Sequence, residues 1–343
     1  MNLLAPLTLM TISGLVVTGI GVSTLGSVKI HLARRLQIDE ARVGGLVSLF
    51  GFTLIPIILA AGFLTDTVGY RALMLGGSLV MAVGMILLAT ARRYSTALLA
   101  ILVLTSGWAA LVDVLNVLNP HAFPGNIAFA TNLGISFSGA GAFVTPLIVM
   151  ILIRRAGFVP AVLLLAGLSL VPALLTLGVE FPQPEQSPEQ EGSLWTLLAS
   201  LAMWLCALIF FFYSPLEAGV GAWTTTYLEE QGVRETLAAG TLSGYWLAAM
   251  AAQLLTAFLL PAGSESVLLC LLALGSVLVL VGIVTCRNQN LAPMLIVLAG
   301  LLFGPIMPTN MAVLLENVDE AFHGRAIGVL FAIGGIGWTT IPV

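Results

Sequence analysis

Glu180-Phe181-Pro182-Gln183-Pro184-Glu185-Gln186-Ser187-Pro188-Glu189-Gln190-Glu191-Gly192-Ser193 is the stretch that organises this chain. It holds four Glu and three Pro, and Phe181 is its one bulky apolar side chain. Such a run has almost no apolar surface to bury and reads as a solvated linker. The sequence on either side is its opposite. Of 343 residues, 59% are hydrophobic and 8% charged, and the mean hydropathy is +1.08. A soluble domain carries about 25% charged residues, so this chain has too little polar surface to be a soluble enzyme. Disorder needs low hydrophobicity and high net charge. The net charge of −4 offers no basic field, which removes nucleic acid as a partner. What remains is a polytopic protein embedded in a lipid bilayer.

A helix crosses a bilayer in about 20 apolar residues. Cutting at charges, Pro-rich stretches and turn residues gives six spans before the linker: 3–28, 43–64, 72–91, 95–118, 126–153 and 157–179. Five follow it: 194–228, 236–260, 264–286, 291–315 and 324–343. The first counts as a span because no basic residue precedes its apolar run, which is too long for a signal-peptide core. The expected fold is therefore all-α, with two helical bundles at residues 1–180 and 194–343 joined by the linker 181–193. A six-plus-six plan would leave the second bundle one helix short, with eleven of twelve helices present.

Charges sort by connection. Lys29, Arg34, Arg35, Arg42, Arg92, Arg93, Arg154, Arg155, Arg234 and Arg287 fall in or beside odd-numbered connections, and only Arg71 and Arg325 in even-numbered ones. Read alone, the positive-inside rule places the odd connections in the cytoplasm. Two acids fall inside spans instead: Asp113 in span four and Glu217 in span seven. An acid at the bilayer centre costs about 2.5–3.5 kcal/mol on insertion scales, and such residues mark solute pathways and proton relays. The bland alternative is a structural carboxyl bonded to a neighbouring helix.

Helical spacing gives each acid polar company. Asn116 and then Asn119 follow Asp113 at intervals of three, and Tyr213 precedes Glu217 by four. Trp223, Thr224 and Tyr227 continue that broad face. Rings beside a carboxylate suit a sugar-sized ligand, offering apolar faces to stack on and acceptors for hydroxyls. Trp223 and Tyr227 read equally well as an interfacial aromatic belt. Cys206, Cys270 and Cys286 lie in apolar runs without paired spacing, and His31, His121 and His323 are far apart. No metal site or cofactor is expected. Nor is enzyme chemistry, since no span pairs a nucleophile with a base.

Gly62-Phe63-Leu64-Thr65-Asp66-Thr67-Val68-Gly69-Tyr70-Arg71 resembles the signature Gly-x-Leu-x-Asp-Arg-x-Gly-Arg-Arg loop of the major facilitator superfamily. Gly62, Leu64, Asp66, Gly69 and Arg71 match, whereas Thr67 and Tyr70 replace basic residues. The resemblance implies two six-helix bundles, a cytoplasmic N-terminus and linker, and a gating role for Gly62, Asp66, Gly69 and Arg71. This orientation is opposite to the one the arginine bias gives. Within the superfamily the chain is most similar to the fucose permease group of sugar:proton symporters. Asp113 with Asn116, the stretch from Phe212 to Leu228, Gly304-Pro305-Ile306-Met307-Pro308-Thr309, and Gly324-Arg325 carry that likeness. That group has a further acid in span one, which is absent here.

The resemblance implies a monomeric secondary transporter of the bacterial inner (plasma) membrane, moving a small polar solute by alternating access. Asp113 is the proton-coupling candidate. Glu217, Asn116, Tyr213, Trp223 and Asn310 are the substrate-binding candidates. The alternative is an exporter of amphipathic compounds. Span five, Gly139-Ala140-Gly141-Ala142-Phe143 with Pro146 later, lacks the Gly-Pro signature that antiporters of the superfamily often show.

Overall fold

A computed structural model describes residues 5–182 and 194–339 of the chain. The linker from Gln183 to Ser193 and the final residues of the last expected span lie outside the described residues. Among the described residues eleven helices are long and apolar enough to cross a membrane, matching the eleven spans read from the sequence. The first bundle comprises α1 (Pro6–Leu36), α2 (Glu40–Val68), α3 (Tyr70–Thr90), α4 (Tyr94–Ala122), α5 (Ile127–Ala156), α6 (Phe158–Ser169) and α7 (Val171–Thr176). The second comprises α8 (Leu194–Ala199), α9 (Leu201–Glu230), α10 (Glu235–Leu259), α11 (Glu265–Thr285), α12 (Leu291–Phe303), α13 (Ile306–Glu316) and α14 (His323–Thr339).

Span edges shift where helices outrun the apolar run. α1 continues through Lys29, Arg34 and Arg35 to Leu36, so the first connection is short. Once a helix leaves the bilayer, nothing in water forbids another two turns. Three spans break into two helices each. Span six divides at Leu170, just before Pro172. Span seven divides at Ser200, whose hydroxyl accepts the Met203 N–H at 3.4 Å and caps α9. Span ten divides at Gly304-Pro305, where proline has no N–H to continue the ladder. The Gln253 side chain on α10 donates to the Gly304 carbonyl at 3.0 Å, so the break is satisfied from a neighbouring helix.

Small residues set the packing. A Cβ at Gly141 on α5 would collide with the Val16 carbonyl on α1, so these backbones touch. The main contacts between bundles run along α2 against α14 and along α5 against α10 and α13. These two seams position everything that follows.

Candidate functional site

The first seam is electrostatic. Asp66, in the last turn of α2, reaches across to the start of α14. Its Oδ1 accepts the Gly324 N–H at 3.0 Å and its Oδ2 accepts the Arg325 N–H at 3.0 Å. It thereby caps the N-terminus of a helix in the other bundle, where free N–H groups and the helix dipole favour an anion. The Arg325 guanidinium lies 3.3 Å from the same carboxylate. It also sits between the rings of Phe63, at 5.3 Å, and Phe322, at 5.2 Å. A Cβ at Gly62 would strike the Gly324 carbonyl, so this crossing needs glycine on both helices. Beside it, His121 at the end of α4 contacts Glu320 at 2.9 Å.

Of the four gating-loop residues read from the sequence, Gly62 and Asp66 form this seam. Gly69 turns the chain from α2 into α3 at φ +91°, a conformation that favours glycine. Arg71 turns away from the seam and donates to the Leu177 carbonyl at 3.4 Å, just past α7.

Asp113 lies beneath this crossing and is fully buried. Its Oδ2 is 2.5 Å from the Thr65 hydroxyl on α2. Its Oδ1 has no partner among the described residues. Asn116, one turn on, donates to the Val112 carbonyl of its own helix at 2.8 Å and leaves its Oδ1 unpaired.

The second acid sits in different company. Glu217 on α9 is half-buried and in hydrogen-bond contact with the Tyr213 hydroxyl, which donates to the Phe303 carbonyl at 3.1 Å. The rings of Tyr213 and Tyr245 both meet Phe303 edge-on, and the Tyr245 hydroxyl is buried without a partner among the described residues. Asn310 on α13 donates to the Cys206 carbonyl at 2.9 Å, again leaving Oδ1 unpaired. Trp223 is 47% exposed, farther along α9.

The second seam was not anticipated from the sequence. Phe129 on α5 meets Phe258 on α10 with ring centroids 5.5 Å apart. Asn132 on α5 donates to the Thr309 hydroxyl on α13 at 3.2 Å, and its own Oδ1 is unpaired. Asn132 follows Thr131 in the first turns of span five, and this polar pair was the available sign. Buried amide oxygens without a donor cost about 1–3 kcal/mol each. Asn116, Asn132 and Asn310 all carry one.

Two bundles, a glycine-and-aspartate crossing and acids inside the spans define a class, and the chain-wide comparison agrees. The Major Facilitator Superfamily model matches residues 11–342, and the chain belongs to that family. No curated protein matches it in sequence. Among solved structures it is similar to FucP, a Major Facilitator Superfamily transporter in the outward conformation. That match has a TM-score of 0.82 and 17% identity, covering 99% of this chain and 91% of that one. It is similar also to a variant of the Escherichia coli fucose:proton symporter FucP, with TM-score 0.78, 19% identity and coverage of 96% and 90%. The proton:xylose symporter XylE bound to 6-bromo-6-deoxy-D-glucose matches with TM-score 0.79 and 12% identity, covering 97% and 86%. At these identities the likeness is one of fold.

Proposed function

We propose that this protein is a secondary active transporter that moves a small polar solute, a sugar or related polyol, by alternating access and with proton coupling. One observation carries the reading. The polar contacts between the bundles, Asp66 on Gly324 and Arg325 and His121 on Glu320, lie toward the even-connection end, while Asn132 leaves a buried amide oxygen without a donor among the described residues at the bundle interface. The first feature is what a closed gate needs; the second is what a hydroxylated solute or bound water would satisfy. Asp113 is the protonatable group. Glu217, Asn116, Tyr213 and Asn310 bind solute, and Trp223 stacks at the entrance.

The closed end faces the cytoplasm in this reading, against the arginine bias, because the linker and the gate belong on one side. Cysteines introduced at Arg93 and at Glu180 in a cysteine-free background test it. A membrane-impermeant reagent should label position 93 in intact cells and position 180 only after lysis. The reverse pattern would invert the orientation.

The function is tested by reconstituting the protein in liposomes and imposing a pH gradient. Accumulation of a labelled sugar or polyol is expected, as is a raised unfolding temperature with the same compound. Asp113→Asn should abolish gradient-driven accumulation and leave exchange intact. Resistance to amphipathic toxins conferred on a sensitive strain, without sugar uptake, would instead identify an exporter.

A further inference from the structure

We propose that Thr65 is the positioning residue that ties a proton on Asp113 to the closed seam, so that protonation drives the gate itself and not only solute binding. The inference deepens the transport reading above and rests on it for the meaning of the gate.

Three contacts carry the argument. The Thr65 Oγ1 lies 2.5 Å from Asp113 Oδ2 on α4 and 3.0 Å from the Ala61 carbonyl on its own helix. Thr65 also packs directly on α14, since a Cβ at Gly324 would lie 2.9 Å from the Thr65 Cβ. The next residue is Asp66, which caps Gly324 and Arg325. One turn of α2 is therefore held inward by α4 and outward by α14, and Thr65 touches both.

Hydrogen counting gives this turn two states. Thr65 has one hydroxyl hydrogen and two acceptors within reach. When Asp113 is a neutral acid, its O–H donates to Thr65 and Thr65 donates to the Ala61 carbonyl. Both interactions are then served. When Asp113 is a carboxylate, Thr65 turns its hydrogen toward it and the proton has left to water. No ion pair reaches Asp113 among the described residues, and an unpaired buried carboxylate is strongly disfavoured. The closed seam therefore suits the proton-bearing acid, and loss of the proton favours opening to water.

Titratable and charged groups reach this end from several helices, and Asp66 faces Asp113 as a like charge. α2 brings Asp66 to this end, α3 brings Tyr70 and Arg71, and α14 brings His323 and Arg325. α4 itself ends at His121, which contacts Glu320. α1 and α5 carry their charged residues at the opposite end.

The test needs no solute. In a cysteine-free background, spin labels at Val68 and Asn317, both exposed, report the separation of the bundles across the seam. In the otherwise native chain the open fraction should rise at least about threefold between about pH 5 and about pH 9. Asp113→Asn should hold the small open fraction that the parent shows at low pH, whatever the pH. Thr65→Val should lose the pH dependence, and Thr65→Ser, which keeps the hydroxyl, should restore it. A Thr65→Val seam that still follows pH as the parent does would overturn the proposal, as would a parent seam indifferent to pH. These outcomes are separate from transport. Sugar uptake with a pH-indifferent seam leaves the transport reading standing, whereas a responsive seam without uptake of any sugar or polyol overturns only the choice of solute.

Discussion

The two seams between the bundles are built from different materials. At α2–α14 a carboxylate caps a helix of the other bundle, and glycines let the backbones meet. At α5–α10 two phenylalanine rings meet edge-on, and Met250 only grazes Gly139, with 4.0 Å between its sulfur and a Cβ built there. The α2–α14 seam is held by directed bonds; the α5 seam is mostly apolar, with the Asn132–Thr309 hydrogen bond as a polar contact. A rocking transporter can use both, the first as a latch that locks or releases and the second as a surface that slides.

The difference can be broken most severely at Gly324. Gly324→Leu would drive a side chain into Asp66, Thr65 and the Gly62 carbonyl, and making room for it would force the α2 backbone away from α14. Uptake in liposomes should fall by about tenfold or more, while Gly139→Ala on the other seam should stay within about twofold. Thermal unfolding of the purified variants separates a lost gate from a lost fold.

Asp66→Ala comes next. It removes two hydrogen bonds to a charged acceptor and the Arg325 contact, and bonds of this type contribute about 1.5–3 kcal/mol each. The closed population, read by spin labels at Val68 and Asn317, should drop about tenfold or more. Phe258→Ala tests the apolar seam. An aromatic pair contributes about 0.5–1.5 kcal/mol beyond its buried area, so the same measurement should move by about two- to tenfold. The smallest effect is expected at Glu320→Gln. Its contact with His121 is partly exposed, at 27% and 43% for the two side chains. Exposed pairs contribute about 0–1 kcal/mol, so the change should be below about fivefold and fade in high salt.

Much of this is legible in the sequence. The glutamate- and proline-rich linker and the apolar runs define the spans, because a bilayer admits only long apolar helices. The match at Gly62, Asp66, Gly69 and Arg71 marks the turn beside the α2–α14 crossing, but not the different contacts of its members. Asp66 faces another bundle, while Arg71 serves the carbonyl of Leu177. Spacing placed Tyr213 beside Glu217 correctly, because both lie on one helix. It placed Asn116 on the face of Asp113, yet the partner of Asp113 is Thr65, 48 residues away. No local pattern reports a contact of that length, and the Asn132–Thr309 contact spans 177 residues.

The sequence by itself determined which runs are long and apolar enough to cross a bilayer and which of their residues are too polar to be there by chance. That follows from solvation, which acts on each residue where it stands. Only the tertiary structure decided what those residues meet. It set Asp113 against the α2–α14 crossing through Thr65 and left Glu217 among tyrosines, because pairing depends on which helices pack together and at what depth.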